Sequence, residues 1–184
     1  MQHNADDLIT LFNQLFETTE NTILVRGLDE PIYLPAGSDS PYHPSPAAQV
    51  VFAHGYFSSA LHEISHWCIA GDQRRTQVDY GYWYRPDGRT KAEQQEFEKV
   101  EAKPQALEWM LNVAAGSRFR LSADNLSGEP TDPTAFKEAV YTQLQHYLRD
   151  GVPPRAKKFI EALAAFYSVA LPLRLDYFNF SELR

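Results

Sequence analysis

The chain has 184 residues, 43% hydrophobic and 22% charged, with a formal net charge of -7. That length and balance suit one globular domain over residues 1–184 and exclude a disordered or fibrous chain. The acidic surplus argues against direct nucleic-acid binding, because phosphate contacts need a basic face. No apolar run approaches the roughly 20 residues a membrane helix needs, so no membrane role is expected. Cys68 is the single cysteine, so no intrachain disulfide can form. The opening residues lack a basic n-region and an apolar h-region, and a cytoplasmic location is the expectation.

In chain order, residues 6–16 place Leu8, Leu11, Phe12, Leu15 and Phe16 at helical spacing, with Asp6 or Asp7 as the expected cap. Residues 22–26 read as a strand. Residues 31–34 read as a short extended piece suited to a sheet edge, since Pro31 and Pro35 flank it. Residues 36–46 are rich in proline and serine and read as a loop. Residues 49–53 form an apolar run short enough for a buried strand. A helix capped by Ser58 or Ser59 is expected to run to about Ala70 and stop at Gly71. Residues 80–84 read as a strand, 86–88 as a turn, and 122–132 as a loop. Residues 90–116 carry a long helical pattern, expected to kink or restart at Pro104. Two more helices are expected over 132–150 and 153–167, the second with proline in its first turn. The order predicts an α+β fold, a small mixed sheet of about four strands covered by helices. The helix between residues 50 and 80 would act as a crossover.

That crossover helix carries His62-Glu63-Ile64-Ser65-His66, an H-E-x-x-H pattern. Residues four apart share a helix face, so both imidazoles can address one metal ion. Leu61, Ile64 and Cys68 lie away from them and suit the core. The long helix supplies candidates for a third ligand in Glu93, Glu96, Glu98, Glu101 and Glu108. Glu101 is preferred, because a kink at Pro104 could tilt its carboxylate toward the site. Glu98, three residues earlier, is the alternate, or a partner that orients a histidine. His54 reads as a hydrogen-bonded residue rather than a ligand. Trp67, Tyr80, Tyr82, Trp83 and Tyr84 are candidates either for core or for the walls of a cleft for an aliphatic cation. Asp79 and Asp87 are candidates to hold its ammonium. Arg74-Arg75 and Lys157-Lys158 read as solvated helix ends or interaction rims.

Two histidines and a carboxylate serve two chemistries. With zinc, Glu63 would take a proton from activated water and the protein would be a peptidase or nuclease. With Fe(II), the same ligands form a facial triad open to O2 and a substrate. The commoner use of the motif favours zinc. Against it, the third histidine of the metzincin pattern is absent, Gly71 and Arg74 not fitting that extension. No H-x-D pattern occurs either, so the common 2-oxoglutarate oxygenase arrangement is missing too.

Longer strings carry a resemblance. Asp29-Glu30-Pro31-Ile32-Tyr33-Leu34-Pro35-Ala36, Val51-Phe52-Ala53-His54-Gly55, the motif helix through Gly71, Gly81-Tyr82-Trp83-Tyr84, Glu101-Ala102-Lys103-Pro104-Gln105-Ala106-Leu107 and Ala114-Ala115-Gly116 together resemble the elongation factor P hydroxylase family of proteobacteria. The resemblance runs over roughly residues 6–170 and weakens in the tail after Tyr167. It implies a cytosolic monooxygenase whose protein substrate is elongation factor P, bearing a lysine already extended by a β-lysyl group. It implies Fe(II) at His62, His66 and Glu101, for which Zn, Ni, Co or Mn could stand in a crystal, with O2 as co-substrate. Glu63 then becomes a supporting catalytic residue or proton relay rather than a hydrolytic base. The implied fold carries a zincin-like metal helix and resembles a metal-dependent endoribonuclease of ribosome maturation. A metal of purely structural use is the remaining non-enzyme reading.

Overall fold

A computed structural model describes residues 3–80, 88–123 and 132–183. Helix α1 (Ala5–Glu20) buries Ala5, Leu8, Phe12 and Phe16, one stripe at helical spacing. Its N-cap is Asn4, whose side chain accepts from the Asp6 N–H, and not Asp6 or Asp7 as the sequence suggested. Asp6 instead lies in the first turn and pairs with Arg26 at 2.8 Å. Asn21 closes the helix in the left-handed region, and the chain turns directly into β1 (Thr22–Arg26).

Strands β1, β2 (Ile32–Leu34) and β3 (Ala48–Phe52) form a mixed sheet in the order β1-β3-β2. β3 pairs parallel with β1 and antiparallel with β2. All five β3 residues are buried, which is why this central strand reads as a continuous apolar run. β2 lies at the edge of this sheet, the position its flanking prolines suit. The edge of β1 is covered by α1, where Asn13 accepts from the Leu24 N–H at 2.8 Å. Three strands are present among the described residues. The expected strand at 80–84, the turn at 86–88 and the loop at 122–132 lie wholly or partly outside them. Asp79 makes an antiparallel bridge with Tyr33 on β2. The chain therefore returns to the sheet after the motif helix, as a crossover requires.

The motif helix α2 (Phe57–Ile69) starts two to three residues earlier than the sequence suggested, and neither Ser58 nor Ser59 caps it. Tyr56 occupies the cap position without a side-chain hydrogen bond. The start is set instead by the backbone, since His54 and Gly55 both take positive φ and turn the chain out of β3. Helix α3 (Lys91–Ala114) opens with a capping box between Thr90 and Glu93 and runs unbroken through Pro104. The expected restart there does not occur; packing against α2, α4 (Thr134–Asp150) and α5 (Pro154–Tyr167) holds the helix through the missing N–H. The tail is tied down, with Phe178 buried edge-on against Trp109 at 5.4 Å between centroids.

The core lies where α1, α2 and α5 meet. Phe12, Phe16, Trp67 and Phe159 are all buried there, with Trp67 4.8 Å from Phe12 and 4.9 Å from Phe16. Arg155 on α5 lies over the Trp67 ring at 4.7 Å. Its Nη2 donates to the carbonyls of Trp67 and Cys68 at 2.9 and 3.3 Å, and to that of Ala70. A guanidinium thus satisfies the carbonyl end of the metal-motif helix.

Candidate metal centre

α2 buries Leu61, Ile64 and Cys68 against the core, as their spacing predicts, and leaves His62, Glu63 and His66 half-buried on the opposite side. α3 faces them with a buried polar stripe of Glu101, Gln105, Glu108 and Asn112, spaced to share one helix face. The two helices bring His62, His66 and Glu101 together, with one donor atom from each within 4.8 Å of the others. His66 Nε2 lies 3.2 Å from Glu101 Oε1, and His62 Nε2 lies 3.7 Å from Glu101 Oε2. The two Nε2 atoms are 3.2 Å apart.

This geometry suits a metal ion. Two nitrogens bonded to one ion at about 2.1 Å, at angles between a right angle and the tetrahedral value, stand about 3.0–3.4 Å apart. On the far side of the His62 ring, Nδ1 lies 2.8 Å from Glu108 Oε2. A carboxylate there is served by an Nδ1–H, which leaves the Nε2 lone pair facing Glu101. Two imidazoles and one carboxylate would leave further positions open on an octahedral ion.

The electrostatics agree. Burial disfavours a charged His62, but the hydrogen bond and charge of Glu108, with Glu101 and Glu63, outweigh it and hold its pKa well above the ordinary value. Burial pushes Glu101 up, but the charge and hydrogen bond of His66, then His62 and Gln105, bring it down to about 2. Burial is the leading cause that raises both Glu63 and Glu108, against the lowering pull of the histidines. Carboxylates that outweigh the burial cost of a charged imidazole also favour a divalent cation at the same place.

Glu98 is not in the group; one turn away, it accepts from Gln94 Nε2 at 3.1 Å. The carboxylate that touches a histidine is Glu108, which the sequence offered among several but did not select. The available signal was its spacing of seven from Glu101, two helical turns on the same face. His54 is exposed, shapes the turn before α2, and donates its backbone N–H to Leu28 O at 2.7 Å. Cys68 is buried in the core, which pushes its thiol up to about 12. Trp67 is core, yet it also lines a cleft beside His66, together with Glu63 and Tyr33. Tyr80 is half exposed, and Tyr82, Trp83, Tyr84 and Asp87 lie outside the described residues. Asp79 pairs with Arg74, and Arg75 pairs with Glu20 and Asp72. Lys157 and Lys158 are exposed on α5.

Comparison with known proteins identifies a family. The family model described as elongation factor P hydroxylase matches residues 11–178, reaching further into the tail than the resemblance read from the strings. The elongation factor P lysine hydroxylase of Haemophilus influenzae is 52% identical over 179 residues, covering 97% of this chain and 98% of that protein. With a motif helix, a facing carboxylate helix and a match along nearly the whole length, the chain belongs to the elongation factor P hydroxylase family.

Proposed function

We propose that this chain hydroxylates the lysine arm of elongation factor P, extended by a β-lysyl group, using Fe(II) held by His62, His66 and Glu101. The observation that carries the proposal is the convergence of those three side chains in a member of a hydroxylase family. One oxygen atom of O2 enters a C–H bond, and the other leaves as water with two electrons and two protons from a reductant. When bound, Fe(II) supplies the redox chemistry that activates O2, which zinc cannot supply. The protein's own residues do the rest. Glu108 fixes the His62 ring, α3 presents Glu101 from a rigid helix, and Gln105 supports the Glu101 carboxylate at 3.5 Å. Glu63 has no hydrogen-bond or ion-pair partner among the described residues and faces the cleft, so it is free to act on the substrate.

The proposal includes one domain over residues 1–184, working in the cytoplasm on a protein partner, with no membrane and no direct nucleic-acid contact. No helix of the described residues is long and apolar enough to cross a membrane. It also includes a sheet of about four strands and a zincin-like placement of the metal helix, in a fold like that of the metal-dependent endoribonuclease. Support for the fold comes from α2 packed on β3 and from the Tyr33–Asp79 bridge.

Mass spectrometry of elongation factor P from cells with and without this protein tests the reading. One added oxygen is expected only where the protein is present, and it should disappear with His62→Ala. Full activity of an iron-free, zinc-loaded preparation would overturn the iron assignment.

A further inference from the structure

A cleft opens beside the metal ligands, between α2 and the β2–β3 side of the sheet. Its helix wall is made by Glu63, His66 and Trp67, spaced to share one face of α2, and continues to Ala70 at the helix end. Its sheet wall is made by Ile32, Tyr33 and Val50. From Glu63 to Ala70 the wall extends for about 10 Å, seven residues at the helical rise. His66 belongs both to this wall and to the metal group, so the cleft leads to the reacting centre.

The charges along the cleft are not equivalent. At one end, Arg74 pairs with Asp79, while Arg75 pairs with Glu20 at 3.1 Å and with Asp72 at 2.6 Å. Tyr33 donates its hydroxyl to the Arg75 carbonyl at 2.9 Å. His66 is engaged with Glu101. Glu63 is different, a half-buried carboxyl in a largely apolar wall with no hydrogen bond or ion pair among the described residues. A half-buried carboxylate gains most from a cation that is desolvated with it.

We propose that this cleft is the binding site for an aliphatic arm carrying a protonated amine, with the methylenes against Tyr33, Val50, Trp67 and Ala70 and the ammonium on Glu63. The inference rests on the hydroxylase reading above and gives its substrate arm a place. It assigns Glu63 the role of counter-ion, beside the metal ligands, where it fixes how far along the arm the reacting C–H bond lies.

Binding without turnover tests it. Iron-loaded protein kept free of oxygen is titrated with β-lysylated elongation factor P, and with elongation factor P whose modified lysine is replaced by methionine, a neutral arm. Wild type should bind the cationic arm at least tenfold more tightly than the neutral one. Glu63→Gln should lose that preference while keeping one iron per chain. Ala70→Phe, which fills the cleft, should weaken the cationic arm tenfold or more. Ala70→Lys, placing a like charge on the helix wall, should do the same and serves if Ala70→Phe does not fold. If all the folded variants bind the cationic arm as wild type does, the cleft assignment is overturned. The parallel assay in air separates the two readings. Wild type that adds no oxygen to elongation factor P overturns the hydroxylase reading itself. Wild type that adds oxygen while the variants bind unchanged overturns only the cleft.

Discussion

Glu108 concentrates the residue-scale argument. It is buried, touches no proposed open position, and acts only through the His62 ring at 2.8 Å. Glu108→Ala should weaken metal binding by roughly 10–100-fold, read by competition with a metal indicator. Glu108→Gln keeps an acceptor for the Nδ1–H and should recover much of the loss. Glu98→Gln should leave metal affinity unchanged, because Glu98 bonds Gln94 instead. Cys68 gives a second test. With its thiol pushed up to about 12 by burial, it should resist alkylation in the native protein at pH 8 and react on unfolding. The sign for stability follows from linkage: a thiol raised in the folded state favours folding below its unfolded pKa near 9, and the native state loses ground as pH rises from there toward 12. Denaturation midpoints measured at pH 8 and pH 10.5 should fall less in Cys68→Ala than in wild type.

At the scale of elements, α2 needs both its ends held. Its start depends on a left-handed backbone turn and its end on a guanidinium from α5. Arg155→Met removes the guanidinium over Trp67 and the donors to the last carbonyls, so it should cost about 1–3 kcal/mol in chemical denaturation. It should also loosen metal binding, because His66 sits in the last turn. The sequence made α2 visible through local spacing, and the imidazole pair with it, since i and i+4 meet whatever the tertiary fold. Its exact start was not visible, because Tyr56 is no usual cap and the boundary is set by backbone geometry at His54 and Gly55. α3 was legible as a long helix, but Pro104 suggested a break that packing overrides. Glu108 escaped selection because its partner lies on another helix, 46 residues away in the chain. The sheet order β1-β3-β2 was equally hidden, since pairing between strands separated by a long loop leaves no local pattern.

For the whole molecule, the core and the metal group are separate. The aromatic cluster of Phe12, Phe16, Trp67 and Phe159 packs without the ligands, and the acidic stripe faces it from the other side of α2. Removal of metal by chelation should therefore leave helical circular dichroism and cooperative unfolding intact, lowering the melting temperature only by the lost binding energy. Collapse of the fold on chelation would instead mark a structural metal. Both imidazoles hang from α2, and both the ligand carboxylate and the His62 partner hang from α3. The centre is thus a seam with two stitches, and its bite is a gauge of the spacing between two rods. An overpacked or hollowed side chain between those rods, well away from any ligand, would widen or narrow the bite. Its first symptom would be a change in which metal the protein prefers, before any change in whether it folds.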